Sequence, residues 1–80
     1  MKNFKKTKFN IDDKVKIING SFSENSINGK ILDVLYADQY KVLYKVLFLL
    51  LDKNKTTEDG NIPGTCMVEV INENDLKLDI

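Results

Sequence analysis

Residues Tyr40 to Leu51 read YKVLYKVLFLLL, and ten of these twelve side chains are apolar, the exceptions being Lys41 and Lys45. At the two-residue period of a strand, Tyr40, Val42, Tyr44, Val46, Phe48 and Leu50 form one wholly apolar face. The opposite face carries Lys41, Leu43, Lys45, Leu47, Leu49 and Leu51, and it turns from amphipathic to apolar along its length. A strand in a small one-core domain ordinarily keeps one dry face and one wet face. This segment calls for cover on both sides, which points to a closed barrel, a self-association surface or a partner. The same stretch also fits a helical stripe at Tyr40, Leu43, Tyr44, Leu47, Phe48 and Leu51. Its three successive leucines favour helix, and Asp38 stands where an N-cap would. The alternation of aromatic residues with valine tips the reading to strand.

A chain of 80 residues makes one domain near the lower end of what folds unaided. The apolar share of 42% argues against disorder. At this size burial and chain entropy nearly cancel, so association or a bound partner can matter for stability.

The chain holds one cysteine, Cys66, and no histidine. An intramolecular disulfide, structural zinc and histidine-based acid–base catalysis are therefore excluded. Cys66 lies in an apolar run and reads as a small buried core residue rather than a reactive thiol. No signal peptide is visible, because Asp12, Asp13 and Lys14 interrupt the place where an apolar segment should follow the basic start. The longest uninterrupted apolar run, Val46 to Leu51, is too short to cross a bilayer as a helix. With a free cysteine, these features give a cytoplasmic expectation.

Charge balances over the whole chain but not along it. Residues 1–16 hold six lysines against two aspartates, residues 17–51 are neutral, and residues 52–80 hold seven acids against three lysines. A solvated tail and a solvated rim explain this; a bipolar surface that steers a partner is the functional alternative. All twelve basic residues are lysine, and there are nine asparagines. That bias resembles proteins of AT-rich genomes, such as those of low-GC bacteria and their phages.

Residues 1–8 read as a flexible basic arm, and residues 9–80 as one domain with Phe9 and Ile11 as anchors. Lys14 to Gly20 alternates charged and β-branched residues and stops on Asn19-Gly20, a half-buried first strand with Val15 and Ile17 inward. Ser21 to Asn28 reads as a polar loop holding Phe22 and Ile27. Lys30 to Tyr36 follows as a second strand, with Gly29 placed where a side chain would collide with neighbouring backbone. After the long third strand, Asp52 to Gly64 is a mobile hairpin loop containing the turn signal Asp59-Gly60, with Ile62 tucked back. Thr65 to Ile71 is a fourth strand with Cys66, Val68 and Val70 on one face. Asn72 to Asp75 is a one-turn connector, and Leu76 to Ile80 a short last strand.

Three phrases carry a family resemblance. Ile11-Asp12-Asp13-Lys14-Val15-Lys16-Ile17 resembles the opening strand of Src-homology-3-like barrels and KOW-type modules, with Asp12 where glycine is common. Asn28 to Val34 resembles their glycine-led second strand, and Val70 to Leu78 their closing turn and last strand. The resemblance implies an all-β, five-stranded Src-homology-3-like small barrel with a long mobile loop between strands 3 and 4. Such barrels are binding platforms, but fold alone never fixes function. The tryptophan and proline pair of the signalling members' peptide groove is missing, so proline-rich recognition is not implied.

The functional expectation is a non-enzymatic protein-binding module, of the small adaptor or inhibitor kind that phages and mobile elements encode. Its contact strip is Leu43, Leu47 and Leu49, flanked by Lys41 and Lys45, and it serves a protein partner or a second copy. The competing reading covers those leucines with Ser21–Asn28 or the N-terminal arm. The alternative function is nonspecific nucleic-acid binding, with Lys2, Lys5, Lys6, Lys8, Lys14 and Lys16 on phosphates and Tyr36, Tyr40 or Tyr44 stacked on bases. Zero net charge and the absence of arginine weigh against it. Asp12-Asp13 and Glu58-Asp59 read as solvated turn acids rather than an acid–base pair. The scattered glycines build no phosphate loop, so neither an enzyme nor a cofactor is expected.

Overall fold

A computed structural model describes residues 7–38 and 40–79. They form five strands, β1 (Lys14–Ile17), β2 (Ser26–Ala37), β3 (Val42–Leu51), β4 (Gly64–Asn72) and β5 (Leu76–Leu78), with a 3₁₀ turn at Glu73–Asp75 before β5. The contested greasy segment is extended, and the protein is all-β. The strands make one antiparallel sheet in the order β4-β3-β2-β1-β5. Among the described residues no pairing joins the two edge strands, so the hydrogen-bonded ladder is open.

The strand period sorts the side chains. Val15, Ile17, Ile31, Val42, Tyr44, Val46, Phe48, Ile71 and Leu76 are buried on one face, which we call inner. Each such apolar side chain stabilises the fold by about 1.5–3 kcal/mol. Two aromatic residues from outside the strands close over this face. Phe9 tilts against Tyr44 with ring centroids 5.5 Å apart, and Phe22 against Phe48 at 5.2 Å. Both separations suit an attractive tilted aromatic pair.

A buried polar knot ties the N-terminal segment to this core. The Tyr44 hydroxyl donates to Glu73 Oε2 at 2.6 Å and accepts from the Phe9 N–H at 3.3 Å. Glu73 Oε2 also accepts the Lys8 N–H at 3.1 Å. Glu73, expected in a polar connector, is only 4% exposed. Burial, then the hydrogen bond to Glu73, push the Tyr44 hydroxyl up from 10.0 to about 12.

Strand β2 is long because it serves two neighbours. Its first half meets β1 at Lys14↔Lys30 and Val15↔Gly29, while its whole length runs beside β3 with three register shifts. Such shifts bend and twist a strand. Gly29 sits where β1 presses closest: a Cβ there would stand 2.4 Å from the Val15 carbonyl oxygen. The collision expected at this glycine is present. Asp12 has φ 75°, a left-handed conformation that aspartate tolerates better than most residues.

Several expectations are corrected. Ser26–Asn28 belongs to β2 rather than a loop. Tyr40 lies outside β3 and is 81% exposed, because the turn before the strand is held by Asp38, whose Oδ1 accepts the Tyr40 and Lys41 N–H groups. Ile11 and Ile62 are exposed rather than anchored. Cys66 is exposed, because the face of β4 that it shares with Val68 and Val70 is the outer one. Residues 52–63 join β3 to β4 through internal turns, among them Thr57 N–H to Asn61 O at 2.7 Å and Gly60 N–H to Thr57 O at 2.9 Å.

Candidate interaction surface

The register between β3 and its neighbours assembles the outer face. Across β4, Leu47 stands opposite Val68, Leu49 opposite Cys66, Leu51 opposite Gly64 and Lys45 opposite Val70. Across β2, Leu49 stands opposite Ile27, Leu47 opposite Lys30, Lys45 opposite Asp33 and Leu43 opposite Tyr36. Leu43, Leu47 and Leu49 thus lie in a strip half-buried by their neighbours, and β4 widens it with Val68 (46% exposed) and Val70 (56%). Cross-strand neighbours on one face lie close enough for such side chains to touch.

Of the two segments expected to cover these leucines, Ser21–Asn28 brings Ile27 opposite Leu49 on the outer face, while the aromatic side chains at or beside both pack inward. Phe9, the residue after the N-terminal arm, packs on the inner face, and the Ser21–Asn25 turn reaches that face through Phe22. Residues 1–6 lie outside the described residues.

Of the two lysines assigned to the strip, Lys45 is exposed and stands between Leu43 and Leu47 on the outer face. Lys41 lies at the strip's end. Its N–H donates to Asp38 Oδ1 at 2.8 Å, and its Nζ stands 5.4 Å from the Tyr36 ring centre, a cation–π distance. The Tyr36 hydroxyl donates to Asp38 Oδ2 at 2.6 Å. That bond, with the backbone N–H groups of Lys41 and Tyr40, holds the Asp38 carboxyl below its usual value. The same bond raises the Tyr36 hydroxyl.

The residues of the nucleic-acid alternative divide. Lys2, Lys5 and Lys6 lie outside the described residues. Lys8 sits beside the polar knot, and Lys14 and Lys16 point outward from β1. The register sets Lys14 opposite Lys30 and Lys16 opposite Lys77, an outward-facing group in which the sequence reading had missed Lys30 and Lys77. Lys30 Nζ has a carboxylate partner in Asp12 at 3.4 Å, an exposed pair worth little. Tyr44 is fully buried and cannot stack on a base; Tyr36 and Tyr40 are exposed.

The contribution of β4 had also been missed. Its alternation was legible, but which side of the sheet it faces depends on the register with β3. One concavity, a cleft of about 300 Å³ beside β1 and the start of β2, has Phe48, Ser26, Asn28 and Gly29 in its lining. Among the described residues no group of three or more metal-ligating side chains gathers, and no helix is long and apolar enough to cross a membrane. Compared with family models, curated proteins and solved structures, the chain matches none.

Proposed function

We propose that this protein is a non-enzymatic binding module that engages a protein partner through the outer strip of β3, Leu43, Leu47 and Leu49, extended by Val68 and Val70 of β4. One observation carries this reading: both aromatic plugs, Phe9 and Phe22, pack on the inner face, so neither anchors its segment over the leucines. A contiguous apolar patch rimmed by polar groups is the usual mark of a protein contact. Lys41 and Lys30 lie on that rim, and Lys45 stands within the strip between Leu43 and Leu47. The test is the double variant Leu47→Ser, Leu49→Ser, followed by thermal melting and by fluorescence of the apolar dye anilinonaphthalene sulfonate. A retained melt with reduced dye binding supports the strip. A variant that no longer folds makes these leucines core and removes the reading.

In the same reading the sheet curls into a Src-homology-3-like small barrel. The ladder order, the bulged β2 serving both halves, and the packing of Met67 from β4 and Leu76 from β5 on one core support it. Nuclear Overhauser contacts between β4 and β5 side chains are expected; without them the sheet stays open.

A second reading, polyanion binding, is favoured by the lysine pairs Lys14/Lys30 and Lys16/Lys77. Like charges directly across a ladder repel, and a row of phosphates would relieve them. Fluorescence anisotropy with a single-stranded oligonucleotide decides it: a flat titration at low salt with both DNA and RNA removes this reading.

A further inference from the structure

The sheet has two edges built differently. Strand β5 is three residues long, carries Lys77 and is followed by Asp79, so it offers little backbone for pairing. Strand β4 is nine residues long and pairs with β3 without a register shift from Gly64 to Asn72. Natural edges are blunted by shortness, lysine, proline, bulges or an inward-pointing charge, and of these β4 carries only the last, at Glu69. Between Gly64 and Asn72 there is no lysine and no proline, and the strand is neither short nor bulged. Its one charged side chain, Glu69, lies opposite Val46 on the inner side. Along the free side, alternate residues turn an N–H and a C=O away from β3, where water can satisfy them and a second strand can pair them in a row.

We infer that β4 pairs antiparallel with β4 of a second copy of this chain, about a two-fold axis at Val68. This rests on the outer strip being a contact surface and names its partner. Val68 is the midpoint of Gly64–Asn72, so this register alone pairs the whole strand. It sets Val68 opposite Val68 and Cys66 opposite Val70, so the apolar row reads the same in both directions. Glu69 then faces Met67 across the seam and never another Glu69. A two-fold interface must be self-complementary in this way. The seam makes one ten-stranded sheet in which the apolar strips of the two copies run together.

Light scattering under reducing conditions, from dilute to concentrated protein, should show the mass rise from one chain to two. Val68→Lys sets two ammonium groups against each other on the axis and should hold the protein at one chain. Because Val68 is exposed, its melt as a monomer should be unchanged. Cys66 is the chain's only cysteine and is exposed, so a nitroxide attached there gives an independent measure. In this register the two Cys66 Cα atoms lie about 14 Å apart, four residues along and one strand across, and dipolar broadening should appear with the dimer. A wild type that stays one chain at every concentration overturns the inference. It leaves the strip reading in place if the serine variant has passed its own test. Dimers that form equally well with Val68→Lys, or without broadening from Cys66, place the seam elsewhere and also overturn it.

Discussion

Strand β3 shows its neighbours two different surfaces. Inward, Val42, Tyr44, Val46 and Phe48 are almost wholly buried, roofed by Phe9 and Phe22. Outward, Leu43, Leu47 and Leu49 are only half-covered, and what covers them comes from the flanking strands of the same sheet. Leucine is no less apolar than valine or phenylalanine, so the difference lies not in the residues but in where the two aromatic plugs go. Apolar side chains gain stability only from the area actually removed from water. The inner face has gained it within the monomer; the outer face still has it to gain, and this supports the proposed contact.

The sharpest break of this contrast is Phe48→Ala. It empties a site lined by Phe22 and the inner face, and large-to-small changes of this kind cost about 3–5 kcal/mol. For a domain this small the expected outcome of denaturant titration is loss of most or all of the folded population. A cost below that range would mean that the inner face is not the core.

Next in size is Tyr44→Phe. It removes the donor to Glu73 and leaves a carboxylate 4% exposed with one fewer partner, a loss of about 1–3 kcal/mol. The same tyrosine sets a pH limit. Its hydroxyl is raised from 10.0 to about 12 in the folded state, so above pH 10 the unfolded chain releases this proton first. Its contribution is complete below pH 10 and is lost as pH climbs through about 12. Thermal melts of the wild type should fall over that window more steeply than those of Tyr44→Phe. Parallel curves for the two proteins would show that Tyr44 does not couple folding to this proton.

Much of this frame was legible beforehand, for identifiable reasons. The inward set Val15, Ile17, Val42, Tyr44, Val46 and Phe48 followed from period two, and the 3₁₀ turn from a short polar run between apolar strands. Gly29 announced a close backbone approach, and Val15 supplies it. What escaped depends on contacts between distant segments. Cys66 was placed in the core because the alternation of a strand does not say which side of a sheet it faces. Glu73 was taken for a solvated connector because Tyr44 and Lys8, its partners, lie far away along the chain. The pairing of Lys14 with Lys30 and of Lys16 with Lys77 needed the register. For the strip, the leucines were legible and the valines of β4 beside them were not.

The smallest effect tests the contrast most finely, because it compares neighbours in sequence. Leu49 follows Phe48 and points to the other side, opposite Ile27 and Cys66. Leu49→Ala removes a side chain that is half-covered, so there is little enclosed cavity to leave behind, and surface-like changes usually stay within about 0.5 kcal/mol. Fully buried leucines cost about 2–5 kcal/mol when cut back to alanine. Denaturant titration of dilute protein, below the concentration at which copies associate, should place Leu49→Ala in the lower class. Repeated on concentrated protein, the same substitution should cost more if a second copy covers the strip, since association stabilises the folded form by mass action. A cost in the upper class even at high dilution would mean that the outer face is covered within the monomer. Removing residues 1–6 would then identify the cover: if Leu49→Ala becomes cheap in the shortened chain, the N-terminal segment lies on the leucines and the two faces of β3 are both core.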